Sequence, residues 1–267
     1  MYIKVSAGKH HLCDMTLFID HQFKSPVWRF DIDSQRDILL IETRDAANKK
    51  VLFSSVCLKT GKIYFEDLST DERWLTGIEA AGEGILLLHH YQTAESPVHK
   101  ALIAIRAENG KTVWSNYNLA FDHLTINGPI GYDIRIQPKK LQLIDIQTGR
   151  FLREYQPLID LELNKDLALP NPVSAEFLLS LKIPVHPLEN SSFYLERNKW
   201  RIVSLHAKKE DELQQLLYLL DENNIIYHDL LHSGIQKMQP ESFLIYKDQL
   251  IYLKNYSQLK VLNLPYF

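Results

Sequence analysis

Several short apolar runs carry charged or titratable residues at intervals of two. "IETRD" holds Glu42 and Arg44, and "YDIRI" repeats the arrangement with Asp133 and Arg135. "LLHHYQ" holds His89, His90 and Tyr91; "KWRIVSLH" holds Arg201 and His206; "YLKNY" holds Lys254 and Tyr256. In an extended chain alternate residues share a face. Glu42 and Arg44 therefore project together, as do Asp133 and Arg135, while His89 and Tyr91 take one face and His90 the other. Such sets suit acid–base work on an anion. Glu42, Asp133 or His90 would give and take the proton, and Arg44, Arg135 and Arg201 would hold a carboxylate or phosphate through paired N–H groups. The plainer reading is that each acid neutralises its own arginine at a strand end. The two part on one point: the first needs Glu42, Arg44, Asp133, Arg135 and Arg201 to meet in one cavity.

Other chemistry has little footing. Successive strand residues point apart, so His89 and His90 cannot hold one ion together. Neither has an H-x-H or H-x-x-x-H partner, and no metal ligand set is expected. There is no G-x-S-x-G, P-loop or G-x-G-x-x-G; Gly82 and Gly84 in "EAAGEGILL" precede a strand rather than a helix. The two cysteines, Cys13 and Cys57, form no C-x-x-C pair, and Cys57 reads as a small core residue. Trp28, Trp74, Trp114 and Trp200 read as packing between sheets rather than as ligand platforms.

The elements that would position these residues repeat. "FSSVCLKTGKIYF", "HKALIAIRAENGKTVW" and "KKLQLIDIQTGRFL" each run from an apolar stretch through a glycine turn into a second stretch, at Gly61, Gly110 and Gly149. A fourth copy, "LLDENNIIYHDL", places Asn223 at the glycine position, as suits a residue that tolerates positive φ. The residue four after each turn is Phe65, Trp114, Arg153 and Tyr227. The turns lie 49, 39 and 74 residues apart. A period of about forty to fifty residues is that of a four-stranded propeller blade. The flanking runs are short, rich in Ile, Leu, Tyr and Phe, and bounded by Gly, Asn, Asp and Pro, which is the strand pattern. "EDELQQLLYLL" has helical propensity alone, but its match to the other copies makes it a strand. Gln156–Asn190 lacks the phrase and is Pro-punctuated; it reads as an insertion, with a short helix in "VSAEFLLSLK". The last unit stops without its fourth strand, and part of Met1–Phe18 is expected to complete it.

The phrase A-[LI]-x-[AS]-[LI]-x-x-x-[TN]-G-K-x-x-W in "ALIAIRAENGKTVW" resembles the repeat of β-propellers of the pyrroloquinoline-quinone enzyme type. The overall layout is also similar to an uncharacterised family of single-domain bacterial proteins, which would carry no assigned activity. The resemblance implies fold and not redox chemistry. The family's quinone-binding residues and adjacent disulfide have no counterpart, and the chain is too short for eight blades. The expected fold is all-β, one propeller domain over residues 1–267, with about five four-stranded blades or, alternatively, six.

With 267 residues, 45% of them hydrophobic, the chain buries a sizeable core, and disorder is excluded. Formal net charge is −3, without the basic face of a nucleic-acid or anionic-membrane binder. "NKK", "PKK" and "AKK" read as solvated lysines at strand ends. No apolar stretch follows a basic start, and none reaches the length of a membrane span, so a cytoplasmic location is expected. The leading expectation is a binding or scaffold module without catalysis and without cofactor, meeting an unknown protein or a small anionic ligand. The runner-up is a hydrolase or lyase acting on a small anionic or sugar substrate.

Overall fold

The glycine turns are where the chain reverses in the computed structural model, which describes residues 17–188, 191–239 and 242–264. Gly61, Gly110 and Gly149 have φ of 70°, 71° and 71°, a region a Cβ disfavours. All three loops close alike. The carbonyls of Cys57, Arg106 and Asp145 accept from the glycine N–H, and the N–H groups of the same residues donate to Lys62, Lys111 and Arg150. The fourth copy departs from this. Asp221 pairs with Asn224, so the reversal takes two residues, and the positive φ falls on Glu222 (55°) instead of Asn223.

The architecture is all-β. The first described strand, β1 (Leu17–Gln22), precedes an antiparallel sheet of β2 (Val27–Asp33), β3 (Ile38–Asp45), β4 (Lys50–Cys57) and β5 (Ile63–Leu68), ordered as in the chain. A second sheet has β6 (Thr76–Gly82), β7 (Ile85–Thr93), β8 (Ser96–Arg106) and β9 (Thr112–Asn116). A third has β10 (Leu119–Thr125), β11 (Gly128–Asp133), β12 (Gln142–Ile144) and β13 (Phe151–Glu154). After β14 (Leu167–Ala168) comes β15 (Asn171–Val173), then α1 (Ala175–Leu179). β15 edges a sheet continued by β16 (Ser192–Arg197), β17 (Trp200–Lys209), β18 (Glu212–Asp221) and β19 (Asn224–His232). The last sheet joins β20 (Phe243–Tyr246), β21 (Gln249–Lys254) and β22 (Gln258–Asn263) in the order β1-β22-β21-β20-β14. Its missing strand is thus β1, which begins at Leu17; residues 1–16 of the segment expected to supply it lie outside the described residues. β18 is a strand despite its helical propensity. The Gln156–Asn190 stretch contributes β14, β15 and α1, and Pro172, which has no N–H to donate, sits on an edge strand.

The chain divides into two compact units, one of Gln22–Leu167 with Tyr256–Gln258, the other of the remaining described residues. In the first, Leu40, Phe53, Ile78, Leu86 and Leu88 pack in one buried cluster drawn from two sheets. Burying each such side chain contributes about 1.5–3 kcal/mol. Carboxylates of the first sheet also satisfy N–H groups of β6 in the second sheet and of the turn that follows it. Glu42 Oε2 accepts from the Ile78 N–H (2.9 Å), Asp31 from Ala81 (2.8 Å) and Asp33 from Gly84 (2.5 Å).

The residue four after each glycine explains itself here. A Cβ on Gly110 would lie 3.1 Å from Leu68 and 3.5 Å from the Phe65 ring, and one on Gly149 would lie 2.7 Å from the Trp114 ring. Each aromatic residue therefore covers the glycine turn of the following copy, and Trp114 adds an Nε1–H bond to the Ile146 carbonyl (2.9 Å). Arg153 breaks the aromatic series because its side chain is engaged elsewhere, with both Nη groups bound to Asp160 (2.6 and 2.5 Å).

In the other unit Tyr227 reaches Tyr252 of β21, oxygen to oxygen at 2.6 Å. The core there holds Trp200, Leu217, Leu219, Phe243 and Tyr252. α1 is capped by Ser174, whose hydroxyl accepts from the Phe177 N–H (3.3 Å), and it buries Leu178. Cys57 and Trp200 are core residues as expected. Trp28 is not: it is 67% exposed. It falls at a register shift between Val27 and Arg29 on an outer strand, where the pairing that would turn it inward is interrupted.

Candidate functional site

Strand alternation pairs Glu42 with Arg44 on β3 as the sequence requires, whereas Arg135 lies in the turn beyond β11 and meets Asp133 there rather than along a strand. Arg44 Nε donates to Glu42 Oε1 (2.7 Å) and Nη2 donates to the Thr76 carbonyl (3.2 Å). The guanidinium lies 5.0 Å from the Trp28 ring and 5.4 Å from the Trp74 ring, a double cation–π contact. Arg44 and Trp74, with Tyr91, Glu95, Ser96 and Pro97, line an open depression of about 390 Å³. Glu42 is buried, engaged by Arg44 and the Ile78 N–H.

Asp133 and Arg135 meet each other, at 2.9 and 2.6 Å, with Arg135 mostly exposed. These hydrogen bonds hold the Asp133 carboxyl down to about 2. Neither residue lines the depression at Arg44. His90 lies 5.9 Å from the Tyr117 ring, with burial lowering its pKa. In the other unit Arg201 braces the two-residue turn, donating to the Glu222 carbonyl (3.2 Å) and Asn223 Oδ1 (2.9 Å).

Two clusters escaped the sequence. Asp229 is buried and accepts from Lys254 (2.7 Å), Lys260 (3.1 Å) and the Tyr252 hydroxyl (2.9 Å). Burial pushes its carboxyl up, but these donors outweigh burial and hold it below the usual range. Tyr227 beside it is pushed up to about 12, chiefly by burial. Lys254 was visible in "YLKNY", but its partner lies a whole strand pair away.

The second cluster is Glu79, His89 and His99, one residue from each of β6, β7 and β8. His89 pairs with Gly77, two before Glu79, and Tyr91, two after His89, pairs with His99. The pairing shifts between Ile78 and Ala80, at Glu79, and again between Leu88 and His90, and across these irregularities the three side chains meet. Glu79 Oε2 lies 3.0 Å from His89 Nδ1 and 2.9 Å from His99 Nδ1. Burial raises the Glu79 carboxyl, but the two imidazoles more than offset it, leaving the group below its ordinary value. The only sequence signal was the register of three strands, which spacing within one strand does not carry.

Buried histidines set an acid limit on stability. Burial depresses the pKa of His89 and His206, and that of His232 to about 4. The unfolded chain takes these protons near pH 6.5, before the folded one does. Stability is therefore full above that pH and is lost as pH falls toward 4. The melting temperature is expected to drop steadily between pH 7 and pH 5, and a flat profile across that interval contradicts the assignment.

Residues 32–114 match the model of a domain of unknown function, DUF4905. No curated protein matches the chain. Among solved structures, BamB from Moraxella catarrhalis superposes with a TM-score of 0.34 at 8% identity, covering 94% of this chain and 100% of that one. The uncharacterized protein lmo1340 from Listeria monocytogenes EGD-e gives 0.33 at 11% identity, covering 92% of this chain and 78% of that one. At these TM-scores and identities neither likeness defines the function of this chain.

Proposed function

We propose that the chain is a non-catalytic binding module, a single propeller whose blades are the five sheets, and that a partner protein docks on residues 156–161. The observation that carries the reading is a clamped loop with apolar side chains turned outward. Leu158 is 92% exposed, and Leu152, Ile159 and Leu161 are exposed with it. Asp160, almost wholly buried, accepts from Arg153, the Gln156 N–H (2.8 Å) and Asn127 Nδ2 (2.9 Å). Asn127 also donates to the Ile159 carbonyl (2.9 Å), and the Ile126 N–H donates to Leu161 (2.9 Å). A loop held by that many bonds loses little freedom on binding, which is how a preorganised apolar knob gains affinity. Arg153 gives up the aromatic role of its counterparts to make this clamp.

The alternative, a hydrolase or lyase on an anionic or sugar substrate, draws no support from Glu42, Asp133 or the three arginines. Each is already engaged, Glu42 and Arg44 by one another and by β6 of the next sheet, Asp133 and Arg135 by one another, and Arg201 by a turn.

The test compares Leu158→Glu with Val98→Glu, an equally polar change at an exposed valine elsewhere. A protein captured from source cells and then reconstituted in purified form should lose binding to Leu158→Glu by at least tenfold and keep it with Val98→Glu. Equal binding by both variants, with folding checked by circular dichroism, overturns the docking site.

A further inference from the structure

We propose that Glu79, His89 and His99 bind one divalent transition-metal ion, with Zn²⁺ the preferred occupant. Their ligand atoms all lie within 4.8 Å of one another, and both imidazole Nδ1 atoms stand about 3 Å from the same carboxylate oxygen. Two donors bound to one tetrahedral zinc stand about 3.4 Å apart, so each imidazole must draw back from the carboxylate oxygen by only about 0.4–0.5 Å.

The independent sign is His89 itself. It is 1% exposed, and neither ring nitrogen makes a hydrogen bond. Glu79 Oε2 is close to Nδ1 but out of line for a bond. Buried polar atoms without a partner are rare in native proteins, and here one belongs to an imidazole lying against a carboxylate and a second imidazole. An ion at the shared point engages all three groups at once. Gly77 keeps the back of the His89 ring open: a Cβ there would lie 3.2 Å from Nε2 and 3.0 Å from Glu42 Oε2.

The donor set selects the metal. Two nitrogens and one carboxylate suit zinc and its first-row neighbours, whereas calcium and magnesium demand oxygen. The rings of His89 and His99 now stack, 3.6 Å apart and 6° from parallel. Metal binding requires them to splay until both Nδ1 lone pairs converge. His99 is 31% exposed on its side chain and has the room. The same exposed side leaves a fourth position for water. Tyr91 stands edge-on to both rings, at 4.7 and 5.1 Å, and also lines the depression at Arg44, so that position lies beside open surface.

The test uses the full chain, stripped with chelator, carrying His10→Gln and His11→Gln to remove the adjacent histidine pair. Zinc chloride is titrated by calorimetry and cobalt chloride by visible absorption. One ion per chain and a tetrahedral cobalt band are expected. Glu79→Gln and His99→Ala should each weaken zinc by at least ~100-fold, more than the loss of an outer hydrogen-bond partner does. Zinc should raise the melting temperature of the parent and not of either variant. No zinc uptake by the parent, or equal uptake by parent and Glu79→Gln, overturns the site. Glu79→Gln preserves side-chain volume and decides alone if His99→Ala does not fold.

Discussion

Asp229→Ala is expected to lower folding stability by about 3 kcal/mol, the loss that follows when one partner is removed from a buried ion pair. The substitution leaves Lys254 and Lys260 facing each other across the vacated space, and it removes the carboxylate acceptor of the Tyr252 hydroxyl, leaving it only Tyr227. Asp229→Asn should cost less, because the amide oxygen still accepts from one lysine. Lys254→Met added to Asp229→Ala should recover part of the loss, since it removes one uncompensated ammonium. Urea denaturation measures all three. If Asp229→Ala unfolds within about 0.5 kcal/mol of the parent, the usual range for an inert surface change, the cluster contributes nothing to stability.

The second large effect separates two glycines that share a backbone strain. Gly84 (φ 79°) has open space where a Cβ would go, while Gly149 (φ 71°) has the Trp114 ring 2.7 Å away. Gly84→Ala should cost about 1 kcal/mol, from left-handed backbone alone. Gly149→Ala should cost about 3 kcal/mol, the same strain plus overpacking against the indole. Combining Gly149→Ala with Trp114→Leu should be markedly less than additive, the mark of residues in contact. Equal losses at the two glycines would show that the ring rests there without consequence.

The strand pattern and the glycine turns were legible because each depends on local rules: alternation, apolar runs and positive φ. The short helix after Ser174 was legible for the same reason. What escaped depends on register and on partners far along the chain. Trp28 looked like core until an interrupted pairing beside Val27 turned it outward. Asn223 looked like a substitute glycine, yet the chain reversed one residue earlier, at Glu222. Glu42 looked like an acid ready for chemistry, but the edge strand beyond it supplied an N–H that needed an acceptor. Glu79, His89 and His99 come together only once three strands are aligned. Arg153 read as a lapse in the repeat, and its reason, Asp160, lies seven residues on in a stretch with no periodicity.

The aromatic cover over each following glycine has a consequence for how such a chain can change length. A duplicated second copy would bring both a bare turn for Phe65 to sit on and a fresh indole for the next turn. A duplicated third copy would bring Arg153 instead, leaving its successor's glycine roofless. Lengthening the array at the second copy thus keeps every glycine turn covered, whereas lengthening it at the third does not.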